Sequence, residues 1–312
     1  MEALSMNRII SLLPSSTEII CALGCAERLV GRSHECDYPP DVARLPICTS
    51  PKFDPDGTSY QIDQRVKAIL QEATSVYRLD ADQLDELAPD LLVTQSHCEV
   101  CAVSLRDVQE AAFQLVRSRP KILSLQPNTL DEVWHDIEKV GSALGKEDES
   151  SVLVDQLNER LRTIADRARR TENTPRVACI EWFDPLMAAG NWIPELVEIA
   201  GGHNIYTSNG EHSPYLAWED MVETQPDIII LMPCGFDMHR SRIESPSLTR
   251  QSPWQNLHAV QKGQVFFTDG NQFFNRPGPR LVESAEILAE IIHPGVFGSK
   301  HEHTGWERWR VS

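Results

Sequence analysis

Leu29-Val30-Gly31-Arg32-Ser33-His34-Glu35-Cys36-Asp37-Tyr38-Pro39-Pro40 passes from an apolar run into a loop of unusual chemistry. A histidine, two carboxylates, a thiol and a phenol follow one another before two prolines end the stretch. A second run, Asp90-Leu91-Leu92-Val93-Thr94, leads in the same way into Ser96-His97-Cys98-Glu99-Val100-Cys101. Short apolar runs bounded by turn residues read as buried strands. In open parallel sheets ligands bind outside the carboxyl ends of the strands. The two loops are therefore expected on one rim of a single parallel sheet.

The flanking sequence supports that sheet. Arg8–Leu13 reads as a strand, and Ser15 with Glu18 fits a capping box for a helix that stops at Gly24. Prolines 39, 40, 46, 51 and 55 mark an extended connection. Ile62, Val66, Ile69 and Leu70 recur at helical spacing, and a shorter helix over 82–88 ends at Pro89. Residues 104–117 read as a helix and 121–125 as a strand. Strands alternating with helices imply a parallel sheet with covering helices.

No strand signal appears from 129 to 170. Residues 129–144 read as one helix and 147–170 as a second, with Val154, Leu157, Leu161, Ile164 and Ala168 on one stripe. Such a helix spans roughly 35 Å, enough to bridge two lobes. Beyond it the pattern repeats, with strands at 176–182, 227–232 and 265–268 and helices at 192–200, 218–223 and 278–292. The tail from His293 is polar and is expected to pack poorly. The fold class is α/β: two Rossmann-like lobes with parallel sheets, joined by a long backbone helix, with a ligand cleft between them. The domains are 1–128, a linking segment 129–171 with the backbone helix, and 172–312.

Composition excludes some partners. Forty-six Asp and Glu against 29 Lys and Arg give a formal net charge of −17. Nucleic acid and anionic membranes both select clustered Lys and Arg, so neither is expected. No stretch is long and apolar enough for a transmembrane helix. No charged segment with an apolar core and a small-residue cleavage site opens the chain, so a cytoplasmic protein is expected. Its eight cysteines are then expected as reduced thiols.

Three chemistries are open in the strand-end loops, one of them a redox pair at Cys98-x-x-Cys101. His34, Cys36, Cys98 and Cys101 together would make a soft four-ligand site, because zinc takes tetrahedral Cys and His sets. A cobalt or iron macrocycle would instead take one axial thiolate or imidazole. Reduced thiols packed in short loops would leave the same sequence trace. His97 is an alternative to His34, and Glu35 and Asp37 would orient ligands or cap the loop. Tyr38, Trp182, Trp192, Phe273 and Phe274 lie in or beside strand-end loops, where flat aromatic walls suit a large apolar ligand. Packing into lobe cores is the other use of such residues.

SLLPSSTEIICALG, LVGRSHECDYPP, APDLLV, PELVEIAGGHNIY and NRPGPRLVESAEILAEIIHP, in this order, resemble the helical-backbone, class III substrate-binding proteins of ABC importers. The likeness runs from Arg8 to Pro294 and is strongest to the cobalamin-binding type, here in a branch without a signal peptide. It implies a non-enzymatic protein that binds cobalamin or a related corrinoid or tetrapyrrole in intracellular capture or delivery. Asn275 and Arg276 would then meet polar side groups of the ligand. Exported members dock on a transporter through a carboxylate on each lobe. Glu99 is the nearest candidate on the first lobe and none is placed on the second, which leaves docking in doubt. Two other functions fit the loops: a zinc- or iron-binding protein using the Cys and His set, and an enzyme with Cys98 or Cys101 as nucleophile.

Overall fold

The computed structural model describes residues 7–72, 75–95 and 104–310. The chain divides into two compact units. Met1–Gly57, Gln61–Pro127 and Asp131–Gln156 form the first, and Thr58–Tyr60, Asn128–Leu130 and Leu157–Ser312 the second.

In the first unit β1 (Ile9–Ser11) is followed by α1 (Pro14–Ala22) and β2 (Leu29–Arg32). β3 (Thr49–Pro51), α2 (Ser59–Glu72) and β4 (Tyr77–Leu79) come next, then α3 (Ala81–Leu87), β5 (Leu91–Gln95), α4 (Leu105–Gln114) and β6 (Lys121–Leu125). The sheet order is β2-β1-β5-β6, and every pairing is parallel. Ile10 sits opposite both Gly31 and Leu92. Ile10, Leu12, Leu84, Leu92 and Val108 form the core under this sheet. Gly31 is required there, because a Cβ would lie 2.8 Å from the Cys48 sulfur and 2.9 Å from a Leu87 methyl.

Three sequence expectations are corrected. The helix after β1 forms and Gly24 follows it in the left-handed region, but no capping box starts it. Pro14 takes the first turn, where its missing N–H costs nothing, and Ser15 and Glu18 are buried. Ser16 and Thr17 instead donate their hydroxyls to the Leu13 carbonyl. The connection from Tyr38 onward is not wholly extended: Pro40–Arg44 forms a 3-10 helix, and the extended part that follows, β3, pairs antiparallel with β4 in a separate two-stranded sheet. The third correction is the tail, described below.

α5 (Leu130–Leu144) and α6 (Glu147–Ala168) follow. The division between the two units falls inside α6, between Gln156 and Leu157. Val154, Leu157, Leu161, Ile164 and Ala168 are all buried, so the apolar stripe continues through the boundary.

The second unit contains β7 (Arg176–Trp182), β8 (Met187–Ala188), α7 (Ile193–Ile199), β9 (His203–Asn204), α8 (Trp218–Thr224) and β10 (Ile228–Leu231). α9 (Met238–Glu244), α10 (Pro246–Thr249), α11 (His258–Gln261), β11 (Val265–Thr268), α12 (Leu281–Ile292), α13 (Pro294–Phe297) and β12 (Trp306–Arg308) complete it. The sheet order is β12-β11-β10-β7-β8, and β9 also pairs with β7. β7, β9, β10 and β11 are parallel, whereas β8 and β12 run against their neighbours. Trp254 lies in the core, edge-on to Trp218 and Trp309.

The tail is packed, contrary to its polar composition. β12 closes the β11 edge of the sheet, and Trp306 is only 5% exposed. Its indole N–H donates to Glu290 at 2.8 Å, and the same carboxylate oxygen accepts the His301 amide at 2.9 Å. One aromatic ring thus supplies the apolar area that the surrounding residues lack. Trp306→Ala is expected to cost about 3–5 kcal/mol and to lower the urea midpoint of the second unit. An unchanged midpoint would show that the tail does not contribute to stability.

Candidate functional site

The loop after β2 is wrapped around a buried cation. Arg32 is 7% exposed, and its guanidinium donates to the carbonyls of Ser33 (3.0 Å), His34 (3.4 Å), Cys36 (3.1 Å) and Ala43 (2.9 Å). A planar fork of five N–H groups suits several carbonyls at once. Turning these oxygens inward fixes the backbone from Ser33 to Cys36.

Side chains from β3 and β4 then set the loop's chemistry. Thr49 Oγ1 donates to Ser33 Oγ at 3.0 Å. The same oxygen accepts the His34 amide at 3.0 Å and lies 2.7 Å from His34 Nδ1. Tyr77 packs its ring 5.0 Å from the imidazole and donates its hydroxyl to Glu35 at 2.7 Å. Burial, and secondly the Arg32 charge, push the His34 pKa below its ordinary value. The imidazole is therefore neutral at neutral pH and partly exposed. Thr49 and Tyr77 were missed from the sequence. The signal available was Val76-Tyr77-Arg78-Leu79, a β-branched and aromatic run just before the Asp80 cap.

The remaining first-unit candidates separate. Cys36 is 1% exposed, and its sulfur lies 3.1 Å from the Thr17 hydroxyl oxygen, against α1. Its partner thus differs from that of the His34 ring, which faces Thr49 and Tyr77. Tyr38 is 40% exposed. His97, Cys98, Glu99 and Cys101 lie outside the described residues. Among the described residues no three His, Cys, Asp or Glu side chains are grouped to hold a metal.

In the second unit the loops after β7, β10 and β11 share the carboxyl edge of one parallel set of strands. Trp182 ends β7 partly exposed, with its indole N–H on the Asp184 carbonyl at 3.1 Å. Its ring lies 5.2 Å from that of Phe236, and the Arg240 guanidinium stacks 4.2 Å from the other ring. Trp192 is buried instead and donates to the Phe274 carbonyl at 2.7 Å. Phe274 is itself buried with φ +66°, its amide held by Ser284 at 3.1 Å. Phe273 is buried against the Arg280 guanidinium. Asn275 donates to the carbonyls of Met232 and Gly270, and buried Arg276 donates to Asn271. Trp192, Phe273, Asn275 and Arg276 therefore hold the shape of the edge, while Trp182 stays partly exposed on it.

Two residues on this edge escaped sequence reasoning. Glu181 precedes Trp182, and its carboxylate accepts the Ser213 hydroxyl at 2.7 Å. Burial raises its pKa. A carboxylate inside the run Val177-Ala178-Cys179-Ile180-Glu181 was the available signal. Tyr215, 60% exposed, bridges antiparallel to Met187 of β8. Nothing in its loop sequence distinguishes it from an ordinary surface tyrosine.

The comparisons with known proteins point one way. A family model described as periplasmic binding protein matches residues 9–271. The ABC transporter substrate-binding lipoprotein YvrC of Bacillus subtilis (strain 168) is 22% identical over 299 residues, covering 93% of this chain and 81% of its own. Among solved structures, the periplasmic heme-binding protein RhuT from Roseiflexus sp. RS-1 aligns with a TM-score of 0.67 at 21% identity, over 93% of this chain and 99% of its own. The periplasmic vitamin B12 binding protein BtuF of Vibrio cholerae aligns with a TM-score of 0.66 at 23% identity, over 92% and 97%. The shared fold is that of class III binding proteins, with two α/β lobes joined by a long helix.

Two measurements test the first-unit loop. Arg32→Met leaves buried carbonyls without donors and is expected to cost about 3–5 kcal/mol, read as a lower denaturation midpoint. An effect within about 0.5 kcal/mol would remove Arg32 from its organising role. The His34 imidazole should titrate below about 6.5, its unfolded value. Its folded pKa is depressed, so its contribution to stability is fully present above that value. The contribution is lost as pH falls from there through the folded pKa. The unfolding midpoint should fall less steeply over this window in His34→Asn, and equal slopes would refute the assignment.

Proposed function

The chain belongs to the periplasmic binding protein family, and on that premise we propose that it binds cobalamin or a related metal-bearing corrinoid or tetrapyrrole. It is a solute-binding protein of the ABC-transporter type. The observation that carries the ligand class is the make-up of each unit's carboxyl edge, taken by itself. The first unit's edge presents a neutral, partly exposed imidazole, His34, and an exposed phenol four residues on in the same loop, Tyr38. The second unit's edge presents the Trp182 ring and the exposed Tyr215. Flat aromatic faces with few polar groups suit a wide, flat ligand, and an imidazole suits one that carries a metal. Two structural relatives are named as binding heme and vitamin B12, both ligands of that kind.

The two other readings have less behind them. A zinc or iron site would use Cys36, whose sulfur is buried against Thr17. A thiol enzyme would use Cys98 or Cys101, outside the described residues. The relatives are substrate-binding proteins and not enzymes.

The test is titration of the purified protein with cyanocobalamin and with hemin, followed by calorimetry and visible absorption. Saturable binding of at least one is expected, and Trp182→Ala should weaken it by about tenfold, or ~1.4 kcal/mol. No heat and no spectral change with either compound would overturn the proposal.

A further inference from the structure

The hydrogen bonds around Thr49 decide which ring nitrogen of His34 carries the proton. A threonine hydroxyl has one proton to give. Thr49 gives it to Ser33 Oγ at 3.0 Å. Its oxygen also accepts the His34 backbone amide at 3.0 Å. Nδ1 of the same residue lies 2.7 Å from that oxygen, a distance that needs a proton between them. With the hydroxyl proton directed at Ser33, the tautomer that completes this set is the one in which Nδ1 donates. The neutral ring then carries its only proton on Nδ1, and Nε2 keeps a bare lone pair. Nε2 has no hydrogen-bond partner among the described residues, and the side chain is partly exposed.

This is the arrangement in which imidazoles bind metals. A ligating histidine donates its other ring N–H to an acceptor, which fixes the tautomer and the ring plane. Here the acceptor is itself fixed by Ser33, and the Tyr77 ring lies 5.0 Å from the imidazole, at an interplanar angle of 59°. The buried Arg32 guanidinium holds the His34 carbonyl from the other side. The ring is thus oriented before any ligand arrives.

We propose that His34 Nε2 is an axial ligand to the metal of the bound macrocycle, with Thr49 as the residue that positions it. The inference rests on the corrinoid or tetrapyrrole reading above. With aquocobalamin the step is a simple ligand exchange: the cobalt–oxygen bond to water breaks, a cobalt–nitrogen bond forms, and water leaves. No electron is transferred. Cyanocobalamin, whose two axial positions are already filled by strong ligands, should bind without this exchange.

The experiment compares the two cobalamins on the intact protein by calorimetry and visible absorption. Wild type is expected to bind both and to shift the absorption bands of aquocobalamin alone. His34→Ala should lose that shift, and added imidazole should restore it. Thr49→Val, which removes the acceptor of the Nδ1 proton, should weaken the shift-linked affinity by about tenfold, and Thr49→Ser should restore it. Nitrogen-detected NMR of the ligand-free protein should find His34 Nδ1 protonated and Nε2 bare. Binding of both cobalamins with an unshifted aquocobalamin spectrum would overturn the axial role and leave the ligand class standing. A proton on Nε2, or a shift that survives in His34→Ala, would also overturn it. Failure of both cobalamins and of hemin to bind would remove the underlying reading and this inference with it.

Discussion

A cation withdrawn from water must find its partners inside the protein, and the first unit meets that demand with peptide carbonyls. Arg32 ends β2 and draws four backbone oxygens from Ser33, His34, Cys36 and Ala43 around its guanidinium. A loop of this composition would otherwise be free to sample many shapes, since its side chains are polar and its prolines come only at its end. Desolvating a charge costs several kcal/mol unless it is well satisfied, so the loop closes around it or the strand cannot be buried. The same charge discourages protonation of His34. One buried side chain therefore sets both the shape of the loop and the protonation state of its imidazole.

The order of strands was legible because buried parallel strands are short apolar runs that turn residues interrupt. Ile9–Ser11, Leu91–Gln95 and Arg176–Trp182 all stand out in this way. The β3–β4 pair was not legible, since each strand has three residues and pattern needs length. β12 was hidden for the same reason, and a single tryptophan does there what an apolar run does elsewhere. The helix start at Pro14 was misread because a Ser-x-x-Glu spacing is satisfied as well by residues that end up buried.

The site was legible in place and not in detail. Strand-end loops could be located, but which side chains face outward depends on hydrogen bonds that cross the chain. Trp192 and Trp182 look alike in sequence. The first donates its indole proton to a carbonyl 82 residues away and is buried, and the second finds its acceptor two residues on and stays at the rim. The Thr49 hydroxyl, fifteen residues from His34, was invisible for the same reason.

Helix α6 carries a further implication for how this sequence can vary. Its buried stripe continues from Val154 in the first unit to Leu157, Leu161, Ile164 and Ala168 in the second. An α-helix turns by about 100° per residue, so one inserted or deleted residue near Gln156 would swing everything beyond it off the stripe. Substitution there is a local matter, whereas a change of length is not. Lineages of this protein should therefore gain and lose residues in their loops and hold the residue count of this helix constant. A chimera that exchanges one unit for another must keep the heptad phase across the splice.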